Sequence, residues 1–359
     1  VRATSHPSRL QRGFSLIELM VGVVLALIAV IVVMQIFQQS EKNKRTTTGS
    51  SSASMDGAVA FTDLQRDLRQ GGMGFSNLVE LGCSLTLRAG VAISNIGPVT
   101  INPATTVVPA GDANTDTLLI VYANGNSSPE GDTVSNHPNA TTFNVNTPSA
   151  FTVGNYVVSA LQQKPTPCTL VLDKVVTIAA TTPGSAITTA TGNAAAADTL
   201  YDWGLSPRVV AYRVSNGRLQ QCDYTAFNCS STSTAGAWLD LVDGVVSLRA
   251  LYGRDTSPNM TGFADTYDQT TPASTCGWAR TEALRLALTL RSGQLETSAV
   301  TGTAVGLAAP PTWSGAASAP IDVTGNAQWA QYRYKVYESL VPLRNMAWIG
   351  AQTSCNGIF

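Results

Sequence analysis

Gly13-Phe14-Ser15-Leu16-Ile17-Glu18-Leu19-Met20 joins a basic leader to a long apolar run. From Phe14 to Met34 there are 21 residues whose only charge is Glu18. At about 1.5 Å per helical residue, such a run is roughly enough to cross the ~30 Å hydrocarbon core of a bilayer. It predicts a membrane-inserted helix, with the span placed at 14–37. A secretory signal has a shorter apolar region closed by a small-x-small cleavage site. Here the run passes into Gln35-Ile36-Phe37-Gln38-Gln39-Ser40-Glu41-Lys42 without one. A plain anchor leaves Glu18 unexplained, because an ionised group at that depth costs roughly a few kcal/mol. Arg2, Arg9 and Arg12 precede the span and Lys42, Lys44 and Arg45 follow it, so charge asymmetry favours a cytosolic N-terminus only slightly.

The string from Gly13 to Glu18 resembles the processing site of a type IV prepilin. That resemblance implies cleavage between Gly13 and Phe14 by a prepilin peptidase, N-methylation of Phe14, and an assembly role for Glu18. In that role the carboxylate pairs with the new amino terminus of a neighbouring subunit as helices leave the membrane. Two charges that are each costly in lipid become tolerable together, since their attraction rises as the dielectric falls. The chain then divides into a leader peptide at 1–13, an N-terminal helix at 14–70 and a β-rich periplasmic or extracellular domain at 71–359.

Composition narrows the domain's chemistry. The chain has 22 basic and 23 acidic residues, and loss of Arg2, Arg9 and Arg12 with the leader leaves 19 basic. This is no footprint for nucleic acid, which calls for a basic face. The six cysteines, Cys83, Cys168, Cys222, Cys229, Cys276 and Cys355, all lie beyond the span, as expected of an oxidising compartment. Six cysteines allow 15 connectivities. Cys222 and Cys229 close a short loop after a predicted hairpin strand and form the expected pair, against the alternative that each reaches a distant cysteine. The pairing of Cys83, Cys168, Cys276 and Cys355 stays open.

Beyond the span, Gln35 to Arg45 keeps good helix formers, whereas Thr46 to Ser54 is rich in Ser, Thr and Gly and lowers helix stability. Met55, Ala58, Phe61, Leu64 and Leu68 then recur at helical spacing, which predicts an apolar stripe packed under a sheet, with Asp63, Arg66, Asp67 and Arg69 elsewhere. Gly71-Gly72 ends the helix. Strands are predicted at Asp116 to Tyr122, Tyr156 to Leu161 and Cys168 to Leu172, with less regular ones at Val245 to Tyr252 and Gln331 to Val341. Pro207 to Val214 and Leu219 to Tyr224 flank Asn216-Gly217, the signature of a tight hairpin turn. Thr281 to Arg291 alternates Leu284, Leu286, Leu288 and Leu290 with Arg285, Ala287, Thr289 and Arg291, so one face points inward. Thr181 to Thr199 and Gly302 to Gly325 read as long surface loops.

Signs of catalysis are weak. His137, the one histidine outside the leader, sits in the loop-like Asn136-His137-Pro138-Asn139, which disfavours a hydrolytic triad. There is no Walker-type phosphate loop. Asp112-Ala113-Asn114-Thr115-Asp116 opens like a calcium loop, but Thr117 stands where glycine is required and Ala123 where the bidentate glutamate belongs. It reads as a polar turn, and the loop from Arg254 to Asp268, with Asp255, Asp265 and Asp268, as a solvated one. The expectation is no catalytic residue, no metal and no cofactor.

Val242 to Arg249, Ala283 to Leu288 and Tyr337 to Asn345 resemble the PilW group of minor type IV pilins. The implied fold is α+β and pilin-like: a long N-terminal membrane-spanning α-helix packed on a mainly antiparallel β-sheet domain with long loops. The implied role is priming of pilus assembly at or near the tip, in support of twitching motility, adhesion or DNA uptake. The implied partners are other minor pilins, the major pilin and a large tip adhesin, with prepilin peptidase as processing enzyme. The implied location is the bacterial inner membrane before assembly and the pilus fibre or tip at the cell surface afterwards. Two alternatives stay open. A J-type pseudopilin of type II secretion shares the leader and Glu18, but that type is usually shorter and keeps the company of secretion pseudopilins. A membrane-anchored periplasmic enzyme or adhesin would keep its leader uncut and tolerate replacement of Glu18.

Overall fold

The computed structural model describes residues 15–75, 78–88, 91–125, 130–147, 151–182, 184–193, 197–347 and 349–358. Its chain divides into two units, 1–51 and 52–359. One continuous helix, α1 (Leu16–Gln70), begins in the first and ends in the second. The weak stretch at Thr46 to Ser54 does not break it. Helix already formed on both sides removes the nucleation cost, and a low-propensity run then has only to propagate.

The second unit starts with the end of α1, whose buried face is Gly57, Ala60, Phe61, Leu64, Asp67 and Leu68. The sequence pattern placed Met55 and Ala58 on this face, but Met55 is 70% exposed and Ala58 is exposed. Small residues at 57 and 60 replace them because the sheet approaches closely there. After Gly71-Gly72 the Gly72 amide donates to Val121 O at 2.9 Å, so the chain leaves the helix directly onto a strand.

In chain order, β1 (Ser84–Arg88), β2 (Val91–Ile93), β3 (Val99–Ile101) and β4 (Leu118–Tyr122) come first. There follow β5 (Asp132–Asn139), β6 (Thr142–Val145), β7 (Tyr156–Ala160), β8 (Thr169–Ala180), β9 (Ser185–Thr189) and β10 (Thr199–Gly204). Next are β11 (Arg208–Ser215), β12 (Arg218–Asp223) and β13 (Leu239–Asp243). The last set is β14 (Val245–Arg254), β15 (Thr266–Asp268), β16 (Thr281–Arg291) and β17 (Tyr334–Pro342), with short helices α2 (Thr275–Ala279) and α3 (Arg344–Ala347).

Three sheets result. One runs β13-β12-β11-β4-β3 and another β15-β14-β16-β17, each antiparallel throughout. The third has the order β2-β1-β8-β7-β10-β5-β6-β9, and a further pairing of β8 with β9 closes six of its strands, β5 to β10, into a barrel. Among the described strand pairings, only that of β1 with β8 is parallel. The two Leu-rich strands and the end of α1 share the main core: Ala60, Phe61, Leu64 and Leu68 meet Leu118 to Val121, Val209 to Val214 and Leu284 to Leu290.

The barrel occupies the part of the chain where the sequence is least periodic. Thr181 to Thr199 is not a surface loop throughout, because β9 lies within it and buries Ser185, Ile187 and Thr189. Alternation lets β7 serve two cores: Val157 faces the barrel interior while Val158 faces the main core. His137 is on β5 rather than in a loop, with its ring stacked on Phe143 at 4.3 Å between centroids. Gly302 to Gly325 forms no strand, but Trp313 and Ala319 pack on Leu251 and Ala287 and cover the outer face of the four-stranded sheet. Trp313 Nε1 donates to Ala319 O at 2.6 Å, which pins this cover on itself.

Candidate functional site

Gly13 and Phe14 lie outside the described residues. Glu18 stands in the first turn of α1, where its Oε2 accepts a hydrogen bond from the Ser15 amide at 3.3 Å. A helix start leaves amide donors unsatisfied and carries partial positive charge, so a carboxylate is well placed there. From Leu16, 78% exposed, to Phe37, 72% exposed, apolar side chains ring the helix on every side. A helix apolar all round belongs in a hydrophobic medium. Leu16–Glu41 is long and apolar enough to cross a membrane by length and composition.

The other end of α1 is fixed by polar groups the sequence pattern did not reveal. Asp67, only 4% exposed, accepts from Tyr122 Oη at 3.2 Å through Oδ1 and from Tyr212 Oη at 2.7 Å through Oδ2. Gln221 Nε2 donates to Tyr212 Oη at 2.5 Å and to Asp67 Oδ2 at 3.4 Å. One helical carboxylate thus ties three neighbouring strands, β4, β11 and β12, to α1. Burial first, and the Asp67 charge next, push the Tyr122 phenol up to about 12, and the same causes raise Tyr212 further. Both tyrosines stay neutral donors at any ordinary pH. Asn345 caps the same helix end, with its Nδ2 within 3.3 Å of Arg69 O, 3.0 Å of Gln70 O and 3.3 Å of Gly71 O. These are carbonyls that a helix terminus leaves without partners.

The three stretches that carry the PilW resemblance come together here. Val242 to Arg249 runs from β13 into β14, Ala283 to Leu288 lies on β16, and Tyr337 to Asn345 passes from β17 to the residue that caps α1. In the four-stranded sheet β14, β16 and β17 are neighbours. Gly57 of α1 meets this sheet: a Cβ there would lie 2.8 Å from Tyr337 Cε2 and 2.9 Å from Leu290 Cδ1.

The acidic turns have protein donors. Asp112 accepts from the amides of Asn216 at 2.9 Å and Gly217 at 2.8 Å, bracing the β11–β12 turn. Asn216 and Gly217 have φ of 52° and 71°, as a tight primed turn requires. Asp116 is internal, taking donors from Asn102, Ala250, Gln269 and Arg249. In the loop after β14, Asp255 accepts from Ser257, Thr261 and Gly262 amides, and Asp265 from Thr256. Among the described residues no three His, Cys, Asp or Glu side chains gather as a metal-binding group.

Three disulfides tie the unit: Cys83–Cys168, Cys222–Cys229 and Cys276–Cys355. The short one closes the end of β12. The long ones join β1 to the start of β8 and α2 to the C-terminal segment. Arg280, buried beside the last of these, donates to Cys355 O at 3.0 and 2.8 Å and to Asp255 O at 2.9 Å.

Residues 211–345 match the family model described as Type IV Pilus-assembly protein W. Residues 8–34 match the Prokaryotic N-terminal methylation motif. No curated protein matches the chain. Among solved structures, a type IV-like pilin from Thermus thermophilus aligns with 82% of this chain and 97% of its own, at 11% identity and a TM-score of 0.33. The barrel strands β5 to β10 fall outside both family matches.

Proposed function

We propose that the chain, which matches the PilW model over 211–345 and the methylation motif over 8–34, is a PilW-type minor pilin that primes pilus assembly. In this reading it is made as a precursor, cut between Gly13 and Phe14, methylated on Phe14, held in the inner membrane by 14–37 and drawn into the fibre at or near its tip. Other minor pilins and the major pilin are its neighbours, and a large tip adhesin is its outward partner. Motility, adhesion or DNA uptake follow from the fibre it starts.

The observation that carries the reading is a fully exposed apolar helix, interrupted only by Glu18, that continues without a break into a helix end clamped on the PilW-type sheets. Polymerisation through such a helix needs no chemistry from the domain, and the work comes from a separate cytosolic motor. Glu18 caps its own helix through Ser15, and in the assembled state its carboxylate pairs with a neighbour's methylated amine. Glu18→Ala should therefore leave leader cleavage intact and reduce recovery in sheared pili at least several-fold. Normal recovery of that variant would remove the pairing role.

The test of the reading is mass spectrometry of the N-terminus, in protein from sheared pili and from membranes of cells with and without prepilin peptidase. The expected result is N-methylated Phe14 in both fractions and intact leader in peptidase-negative cells. Processed protein confined to membranes would overturn incorporation, and an uncut leader everywhere would overturn the pilin assignment.

A further inference from the structure

The barrel carries a chemistry that pilus assembly leaves unused. Its interior holds an apolar cluster of Phe143, Val145, Val157, Val175, Ile187 and Leu200, with Ser159, Asp173 and Thr189 also lining it. At one end the lining turns acidic, and strand register shows how. Asp132 on β5 pairs with Leu200 on β10, while Asp202 on β10 pairs with Val157 on β7. Residues paired across adjacent strands share a face of the sheet. Leu200 and Val157 face inward, so both carboxylates do too, at the mouth of the barrel.

The neighbouring donors satisfy one carboxylate better than the other. Asn155 Nδ2 donates to both oxygens of Asp202, at 3.2 and 2.9 Å, and the Gly204 amide donates to its Oδ1 at 2.8 Å. Asp132 is only 6% exposed and its Oδ1 accepts from the Thr147 hydroxyl, but its Oδ2 is enclosed and accepts no hydrogen bond among the described residues. An enclosed carboxylate oxygen without a donor is among the costlier arrangements a fold can hold. The two acids also feel one another: burial first raises Asp202, and the Asp132 charge adds to that rise against the lowering by Gly204 and Asn155. The mouth is short of positive charge at Asp132 Oδ2.

We propose that this mouth binds a divalent cation of the calcium type, through Asp132 and Asp202, with Thr147 Oγ1 as a neutral oxygen donor. The donor set is all oxygen, with no thiolate or imidazole, which selects hard cations over zinc or copper. Calcium tolerates six to eight oxygens in flexible geometry and fills its remaining positions with water, whereas magnesium demands a near-octahedral cage. The site lies outside both family matches and owes nothing to the Asp112 or Asp255 turns, whose oxygens are engaged by the chain's own amides.

Terbium is the probe, added to the chelator-treated full chain in detergent. The Tyr201 ring lies beside Gly131, next to Asp132, and is placed to sensitise the ion. Tyrosine-excited terbium emission should appear and be displaced by calcium but not by equal magnesium, and calcium should raise the unfolding temperature by several degrees. Both effects should vanish in Asp132→Asn, which keeps the size of the side chain and an acceptor for Thr147, and persist in Asp265→Asn. Should Asp132→Asn fail to fold, Asp202→Asn serves as the second variant. Terbium emission or a calcium shift that survives in these variants would overturn the assignment. So would a wild-type protein whose unfolding temperature ignores calcium.

Discussion

Asp67 shows what a single buried charge does in this fold. Its oxygens accept from Tyr122, Tyr212 and Gln221, so Asp67→Ala strands two enclosed phenols at once, while the Gln221 amide keeps Tyr212 Oη as its acceptor. Leaving buried donors unpaired costs about 1–3 kcal/mol each, partly relieved by rearrangement. Chemical denaturation of Asp67→Ala should show a loss of about 2–4 kcal/mol, with a smaller loss for Tyr212→Phe, which removes one donor and keeps the ring. Glu282 makes a second prediction at this scale. Burial, with the nearby Asp255 carboxylate, raises it from the ordinary 4.5 to about 7. The folded state thus holds a proton that the unfolded chain has released. The associated stability is fully present below about pH 4.5 and is lost as pH rises through about 7. Glu282→Gln stays neutral, so it should match the wild type near pH 4 and exceed it at pH 8. The gain should be about 1–2 kcal/mol after discounting for solvent at this partly exposed group. Thermal melts of the pair across pH read this directly, and a gap that does not widen with pH would refute it.

At the scale of elements, the end of α1 depends on close approach. Gly57 faces Tyr337 and Leu290 with no room for a side chain, and Asn345 caps the final carbonyls. Gly57→Leu should force the helix away from β16 and β17. Overpacking of this kind costs about 1–3 kcal/mol, against roughly 1 kcal/mol regained in helix propensity. The net result should be a lower unfolding temperature and faster proteolysis around 52–70. Unchanged proteolysis would mean that the helix does not rest on the sheet at Gly57. The hairpin β11–β12 shows the opposite case, an element written locally. Asn216 and Gly217 set its turn and Asp112 only reinforces it.

At the scale of the molecule, the barrel is inserted between β4 and β11, which pair with one another in the five-stranded sheet. It is joined to the rest through the parallel β1–β8 pairing and through Cys83–Cys168, a bond between residues 85 apart in sequence. A cross-link over so long a loop is worth about 4–5 kcal/mol in the chain-entropy account. Replacing both cysteines with serine should loosen the barrel first: hydrogen exchange should rise in β5 to β10 well before it rises in β14, β16 and β17. Uniform exchange across all sheets would show that barrel and sheets unfold as one.

The N-terminal helix, the β11–β12 hairpin and the inward face of β16 could be read from the chain because each rests on a local rule: an unbroken apolar run, an Asn-Gly turn, a period of two. The Gly13 to Glu18 string and the three PilW-like stretches pointed to the family for the same reason, since each is short and contiguous. What sequence alone could not supply was long-range. Asp67 looks like any polar residue on a helix, and only the arrival of Tyr122, Tyr212 and Gln221 from three strands makes it internal. The pairings Cys83–Cys168 and Cys276–Cys355 join residues 85 and 79 apart, and no spacing rule encodes them. The barrel was only partly legible: Tyr156 to Leu161 and Cys168 to Leu172 read as strands, but no local rule marks the other barrel strands. They are held by closure of the ring, and the burial that defines their inner face exists only once all six strands have met.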